Sequence, residues 1–279
     1  MNFDYISKVD LIFYPLIIFI VSFLISVSLI PSIRIVGNKF NILDIPAKRK
    51  QHKTALVRIG GIAILLGFLF SIILIKLIFN FQVNLINNYN EIFLYVNFVL
   101  FFLIGIIDDI FHLSPIKRLI CQFIIAAFTF GLGINISQVA LQLLDININI
   151  DLPFYLKILI TIIWLAGITN AINWLDGLDG LASGITIIIS ITIAIIFLEN
   201  DQFYFSLISI ALAGSNLGFL IYNYYPAKIL MGDCGSYFIG FCMASMGLLA
   251  TKEINTLSSL NNANTNILAL IILFSLPIL

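Results

Sequence analysis

LIFYPLIIFIVSFLISVSLI, residues 11–30, runs for twenty positions without a charged side chain. A helix of that length spans about 30 Å, the thickness of a bilayer's hydrocarbon core. A polar segment follows, with no small-residue cleavage pattern between, so the stretch reads as a retained span and not as a signal peptide. Outward from it the same signal recurs at 59–78, 92–107, 119–136, 158–175, 181–198, 203–222, 234–251 and 266–279. With 61% apolar and only 10% charged residues and a mean hydropathy of +1.11, the chain is predicted to be an all-α, polytopic transmembrane bundle of about nine spans. No linker or fixed-period repeat divides it, which makes 1–279 a single integral-membrane domain. The ninth stretch reaches Leu279 within a span, so a C-terminal part is expected to be missing.

Basic residues orient the bundle. Alternating the loops collects Arg34, Lys39, Lys48, Arg49, Lys50, Lys53, Arg58, Lys117, Arg118 and Lys228 on one side, against Lys8, Lys76, Lys157 and Lys252 on the other. The first side is therefore cytoplasmic and the N-terminus outside. Six aspartates, Asp44, Asp108, Asp109, Asp176, Asp179 and Asp233, fall on that same side, each inside a patterned stretch. Net charge is zero, which offers no general basic field for nucleic acid. Cys121, Cys234 and Cys242 form no spaced set, so neither a disulfide framework nor a zinc site is indicated. In the external segments, LLDININIDLPF (143–154) alternates with period two, the mark of a short hairpin strand.

Four constellations share the cytoplasmic side. FFLIGIIDDIFHLSPIKRLICQ (101–122) ends an apolar run on two adjacent carboxylates, Asp108 and Asp109. Such a pair is costly near hydrocarbon unless it faces a polar cavity, a metal or a cation, or caps a turn, and proximity drives the two pKa values apart. NAINWLDGLDGLASG (170–184) repeats Asn170, Asn173, Asp176 and Asp179 every three residues, and Gly177 and Gly180 break the helix where the acids appear. Asparagine and aspartate supply hard oxygens suited to Mg²⁺ and also hydrogen-bond bases and ribose. MGDCGSYFIG (231–240) sets Asp233 between two glycines. LDIPAKRKQHKTALVRIGGIAI (43–64) joins Asp44, a cation run, His52, Lys53 and Arg58 to the Gly60-Gly61 pair. Its cations suit either anionic headgroups or the phosphates of a lipid or sugar nucleotide.

In order, the motifs DD, NAxNxxDGxDGLA and GDxGS resemble the polyprenyl-phosphate N-acetylhexosamine-1-phosphate transferase family, glycosyltransferase family 4, over nearly the whole chain. INWLDGLDGLASG and Arg58-x-Gly-Gly look more like its GlcNAc-1-phosphate branch than its phospho-MurNAc-pentapeptide translocases, which usually carry Thr where Arg58 stands. Where the family usually has Pro before the double glycine, this chain has Val57. The resemblance implies transfer of a sugar 1-phosphate from a UDP-N-acetylhexosamine to undecaprenyl or another polyprenyl phosphate, with release of UMP. It further implies catalytic roles for Asp108 and Asp109, and Mg²⁺, with Mn²⁺ as a substitute, at Asn173 and Asp233. Substrate contacts fall to Asp176, Asp179, Lys53, His52, Arg58 and Lys117. The expected setting is the inner or plasma membrane, with the site on the cytoplasmic face, the bilayer and both substrates as partners, and a homodimer compatible with the sequence. Pentapeptide transfer in peptidoglycan synthesis is the alternative within the family. An ion-coupled transporter, the rival from another class, would place its carboxylates at mid-span. A CDP-alcohol phosphotransferase would need an arginine in DGxxAR that this chain lacks.

Overall fold

A computed structural model describes residues 10–45, 54–78, 88–136, 138–143, 146–257 and 274. Eight of the nine apolar stretches are helices: α1 (Asp10–Lys39), α2 (Gly61–Ile78), α3 (Asn88–Phe111), α4 (Pro115–Gly131), α5 (Phe154–Leu175), α6 (Leu181–Glu199), α7 (Phe203–Asn223) and α8 (Gly232–Leu257). Of the ninth stretch only Phe274 is described. It is buried and meets Trp164 edge to face. All but α4 are long and apolar enough to cross a membrane among the described residues. α4 begins four residues earlier than its apolar run suggests, because Pro115 suits a first helical turn, and it stops at Gly131, before Gly133 with its φ of 80°.

Two hairpins complete the chain. Leu43–Asp44 (β1) pairs antiparallel with Leu56–Val57 (β2) between α1 and α2. Gln138–Leu143 (β3) pairs with Ile146–Asp151 (β4), in register from Gln138↔Asp151 to Leu143↔Ile146, where the alternating stretch predicted a hairpin. Side-chain contacts join the entry to α2, the end of α3, the end of α5 and the start of α8. One end of the bundle thus collects the β1–β2 hairpin with the α3–α4, α5–α6 and α7–α8 turns, the four places where the patterned motifs lie.

Within lipid, apolar side chains gain nothing by leaving hydrocarbon for one another, so helices associate through close packing of small residues and through polar contacts. α7 and α8 are the most enclosed helices. α7 carries Gly214-Ser-Asn-Leu-Gly218, and a Cβ at either glycine would stand 2.5 Å from an α1 carbonyl, that of Phe19 or of Phe23. α8 packs on α2, α3, α5 and α6, with Phe101 of α3 stacked on Phe241 at 4.0 Å. At the other end of the bundle, Lys76 of α2 pairs with Glu91 of α3 at 3.2 Å. The Tyr204 hydroxyl of α7 hydrogen-bonds to the same carboxylate and lies 2.9 Å from that of Tyr95, so three helices are tied by polar groups whose exposure to lipid would be costly.

Gly105 sets the approach of α3 to α8. A Cβ there would lie 2.2 Å from the Asp233 carbonyl oxygen and 2.4 Å from Cys234 Cα, both backbone atoms that cannot turn aside. Gly105→Ala is therefore expected to part the two helices, costing about 1–3 kcal/mol. A lowered melting temperature in detergent, with membrane insertion retained, is the expected measurement; an unchanged melting temperature would contradict this packing.

Candidate active site

The backbone first brings the motifs together. Leu230 donates to the Val57 carbonyl at 2.8 Å, Gly60 to Leu230 at 3.0 Å and Gly61 to Met231 at 2.9 Å, so the segment entering α8 is laid along the segment entering α2. Val57 pairs with Leu43 on one side and meets α1 at Gly37 on the other. Gly232 then turns the chain into α8 with φ 76°, and its position leaves no room for a side chain, since a Cβ would lie 1.8 Å from the Arg58 carbonyl oxygen.

Asp109 closes this junction. Its Oδ1 accepts the Asp233 N–H and its Oδ2 the Cys234 N–H, both at 3.0 Å, in the first turn of α8, where backbone donors lack helical partners. The carboxylate of one helix thus caps another, at the end where the helix dipole favours negative charge. Arg58 completes the arrangement, with Nε 3.0 Å and Nη2 2.9 Å from Asp109 Oδ1, and Nη2 3.1 Å from Asp233 Oδ2. Asp233 Oδ1 in turn accepts from Asn173 Nδ2 at 2.6 Å, and the same amide nitrogen lies 2.8 Å from Ser236 Oγ. Burial works against the Arg58 cation, but Asp109 and Asp233 outweigh it and raise its pKa.

Adjacency in sequence does not make Asp108 and Asp109 a shared dyad. Neighbours on a helix diverge by about 100°, and Asp108 turns instead to the Leu113 N–H at 2.8 Å and to Arg118 Nη1 at 2.6 Å. Sequence reasoning chose Lys117 here, yet Lys117 is exposed and it is Arg118, one position on, that enters the cluster. The signal for Arg118 was available in its i, i+4 relation to the buried Gln122, which puts both on the inner face of α4.

Asp176 and Asp179 also part company. Asp176, just past the end of α5, lines a cavity of about 210 Å³ with Asp44, Arg58, Asn173, Gly177, Leu230, Gly232 and Asp233. Burial of its carboxyl group, reinforced by Asp233 and Asp109, pushes it well above the usual carboxylate range, against the Gly232 N–H and Arg58. Asp179 faces elsewhere: its Oδ2 accepts the Ala227 N–H at 3.0 Å, while the N–H of Gly180, at φ 74°, donates to Asn223 Oδ1 at 3.0 Å. Together they fasten the α5–α6 bend to the turn between α7 and α8. His52 and Lys53 lie outside the described residues. His112, at φ 51°, is exposed.

Beside the polar cavity runs a second space. Between α4 and α5 lies a groove of about 690 Å³ walled by apolar residues that include Leu119, Phe123, Ile163 and Trp164. Arg118 lines it at the carboxylate end, so this one side chain belongs to both the groove and Asp108. Asn170 also lines it and donates to the buried Gln122 at 2.6 Å.

Among the described residues no three His, Cys, Asp or Glu side chains are grouped as a metal site. A hard cation needs less, because Mg²⁺ keeps several waters and is held through one or two carboxylates plus substrate phosphates. Asp233, Asp176 and the amide of Asn173, all hard-oxygen side chains around one cavity with room for waters, fit that demand.

The sequence has counterparts in other proteins. Residues 91–251 match glycosyl transferase family 4. The chain is 32% identical over 242 residues to a probable undecaprenyl-phosphate N-acetylglucosaminyl 1-phosphate transferase of Bacillus subtilis, covering 87% of this chain and 64% of that one. It is 32% identical over 248 residues to a phospho-N-acetylmuramoyl-pentapeptide-transferase of Halalkalibacterium halodurans, covering 85% and 74% respectively. The chain belongs to glycosyl transferase family 4. A third member, a decaprenyl-phosphate N-acetylglucosaminephosphotransferase of Mycobacterium leprae, is 31% identical over 229 residues, 79% of this chain and 57% of its own length. The chain thus spans roughly three-fifths to three-quarters of the relatives it matches. Within this family member, the matched segment holds Asp108, Asp109, Arg118, Asn173, Asp176, Asp179 and Asp233 and leaves out Arg58, which the fold supplies from outside it.

Asp179 separates a structural contact from a charge requirement. Asparagine keeps an oxygen for the Ala227 N–H, whereas alanine leaves that donor unpaired at a cost of about 1–3 kcal/mol. Asp179→Asn is expected to hold the wild-type melting temperature within a few degrees and Asp179→Ala to lower it clearly; equal losses in both would mean that the charge, and not the strap, matters for folding.

Proposed function

We propose that this protein transfers N-acetylhexosamine 1-phosphate, GlcNAc 1-phosphate in the first instance, from a UDP-sugar to a polyprenyl phosphate at the cytoplasmic face of the membrane. The observation that carries the reading is the meeting of Asp109, Arg58, Asp233 and Asn173 within hydrogen-bonding distance across sequence separations of 51 to 175 residues, beside an apolar groove. Relatives named for undecaprenyl- and decaprenyl-phosphate substrates support it. Arg58, where the pentapeptide translocases usually have Thr, favours the hexosamine branch over phospho-MurNAc-pentapeptide transfer. The carboxylates occupy the last turn of α3 and the first of α8, at span ends, which speaks against a transporter with a mid-membrane ion site. Among the described residues Lys39, Arg58, Lys117, Arg118 and Lys228 lie at this same end, as the cations of cytoplasmic loops do.

In the transfer, an oxygen of the polyprenyl phosphate bonds to the β-phosphorus of the UDP-sugar. The bond from that phosphorus to the bridging oxygen breaks, and UMP leaves. The groove between α4 and α5 takes the isoprenoid tail, and Arg118 draws the lipid phosphate to Asp108. Asp108 is the better placed of the adjacent pair to receive the phosphate's proton, because its partner Arg118 lines the groove, whereas the Asp109 side chain is fully buried against the start of α8. Asp109 fixes the position of Asp233, and Asp176 faces the nucleotide from the opposite wall. Mg²⁺ would be held by Asp233 and by Asn173 with its amide oxygen turned inward, and when bound it neutralises the diphosphate and stabilises charge on the departing UMP.

The test is a radiolabelled transfer assay in membranes carrying the full chain, with UDP-GlcNAc and undecaprenyl phosphate. Chelation of divalent cations is expected to abolish product and Mg²⁺ to restore it. Asp108→Asn and Asp233→Asn are each expected to lower turnover by about 10²-fold or more. Added UMP should reverse the reaction. Product formed without any divalent cation, or full activity in both variants, would overturn the reading.

A further inference from the structure

Resting on the proposed metal-dependent transfer, we infer that Arg58 is an internal counter-ion that a divalent cation displaces, and that the displaced guanidinium then binds the donor's diphosphate. Charge makes the first part of the case. Asp108, Asp109 and Asp233 act on one another, Asp44 and Asp176 line the cavity, and among the described residues the ion-paired cations of this cluster are Arg58 and Arg118. Arg118 is ion-paired with Asp108, and among the described residues the cation ion-paired with Asp109 and Asp233 is Arg58. The Asp109 side chain is fully buried, and a buried carboxylate left without a partner is strongly destabilising. A doubly charged cation at Asp233 would bring more positive charge to this spot than Arg58 does. The two cannot sit on the same oxygens without mutual repulsion at short range.

Geometry makes the second part. The Arg58 main chain is fixed, because its carbonyl is pressed against Gly232 and the residues on either side are tied to 230 and 231. Its side chain is not fixed in this way: it is 19% exposed, lines the 210 Å³ cavity and ends in a guanidinium that, among the described residues, is held by carboxylates. Rotation about side-chain torsions is therefore enough to carry the charge from Asp233 into the cavity, with no movement of a helix. Guanidinium offers a planar fork of N–H donors that fits two phosphate oxygens. Asp109, which keeps its two backbone donors from α8, does not need Arg58 to remain satisfied once a cation has entered nearby.

Two consequences follow for binding, which by linkage must be reciprocal. Removing the Arg58 charge removes a competitor of the metal. It also removes the link by which metal and diphosphate help each other. The measurement is Mn²⁺ binding to the purified full chain in detergent, by titration with electron paramagnetic resonance detection, alone and with UDP present. Arg58→Met, of similar apolar length and no charge, is expected to bind Mn²⁺ about tenfold more tightly than wild type without nucleotide, and to show little of the tightening that UDP produces in the wild-type protein. Arg58→Lys, which keeps the charge, should stay near wild type in both, and a melting curve of each variant establishes that it is folded. Weaker or unchanged Mn²⁺ affinity in folded Arg58→Met, or Mn²⁺ binding by Arg58→Lys as tight as that expected of Arg58→Met, would overturn the counter-ion role, leaving Arg58 as a fixed brace for the carboxylates. Absence of Mn²⁺ binding in wild type with and without UDP would instead overturn the metal-dependent reading on which this one stands.

Discussion

Two backbone N–H groups at the start of α8 govern the candidate site. Helix α8 lies at the centre of the bundle, and two of its first-turn donors, which no helical carbonyl can reach, are satisfied by the Asp109 carboxylate of α3. That capping brings a negative charge into a buried place, and Arg58 compensates it while also holding Asp233. The position of the α2 entry, the tight φ of Gly232 and the missing side chain at Gly105 each permit this contact. The site is thus a by-product of solving a hydrogen-bonding problem at a helix end in an apolar surrounding. Once solved, it leaves a cluster of acids and a movable cation at one end of the molecule.

A polar cavity and an apolar groove lie on either side of this junction, and Arg118 and Asp108 stand between them. For the proposed reaction this juxtaposition matters more than either space alone, since one substrate is a water-soluble diphosphate and the other carries a long hydrocarbon tail. Helix α5 contributes to both spaces, because its end bears polar residues and its shaft apolar ones. Asn170 and Asn173, one turn apart on α5, mark that change. The first bonds to Gln122 beside the groove and the second to Asp233 beside the cavity.

Several readings of individual residues needed the fold to be corrected. Asp108 and Asp109 looked like a coupled pair because they are adjacent, but adjacent helical positions diverge, and each carboxylate went to a different arginine. Asp176 and Asp179 looked equivalent within a repeated Asp-Gly pattern. The bend at Gly180 sends one into the cavity and the other to a backbone amide of the α7–α8 turn. Lys117 drew attention as the cation after the aspartates, whereas helical phase turns its neighbour Arg118 to Asp108. Spacing along the chain distinguishes such neighbours poorly, because a shift of one residue on a helix changes the face it presents.

The sequence by itself determined the membrane-helical class, the alternation of the spans and the side on which the acidic motifs gather. Hydrocarbon imposes those features locally: each span must satisfy its own backbone and be long enough to cross, and charge is tolerated chiefly at the ends. The β3–β4 hairpin was legible for a similar reason, from its own period of two. Only the tertiary structure decided which carboxylate meets which cation. Arg58 reaches Asp233 across 175 positions, and that pairing follows from how closely α2, α3 and α8 can approach, set by glycines whose absent side chains act at a distance in sequence and at contact in space.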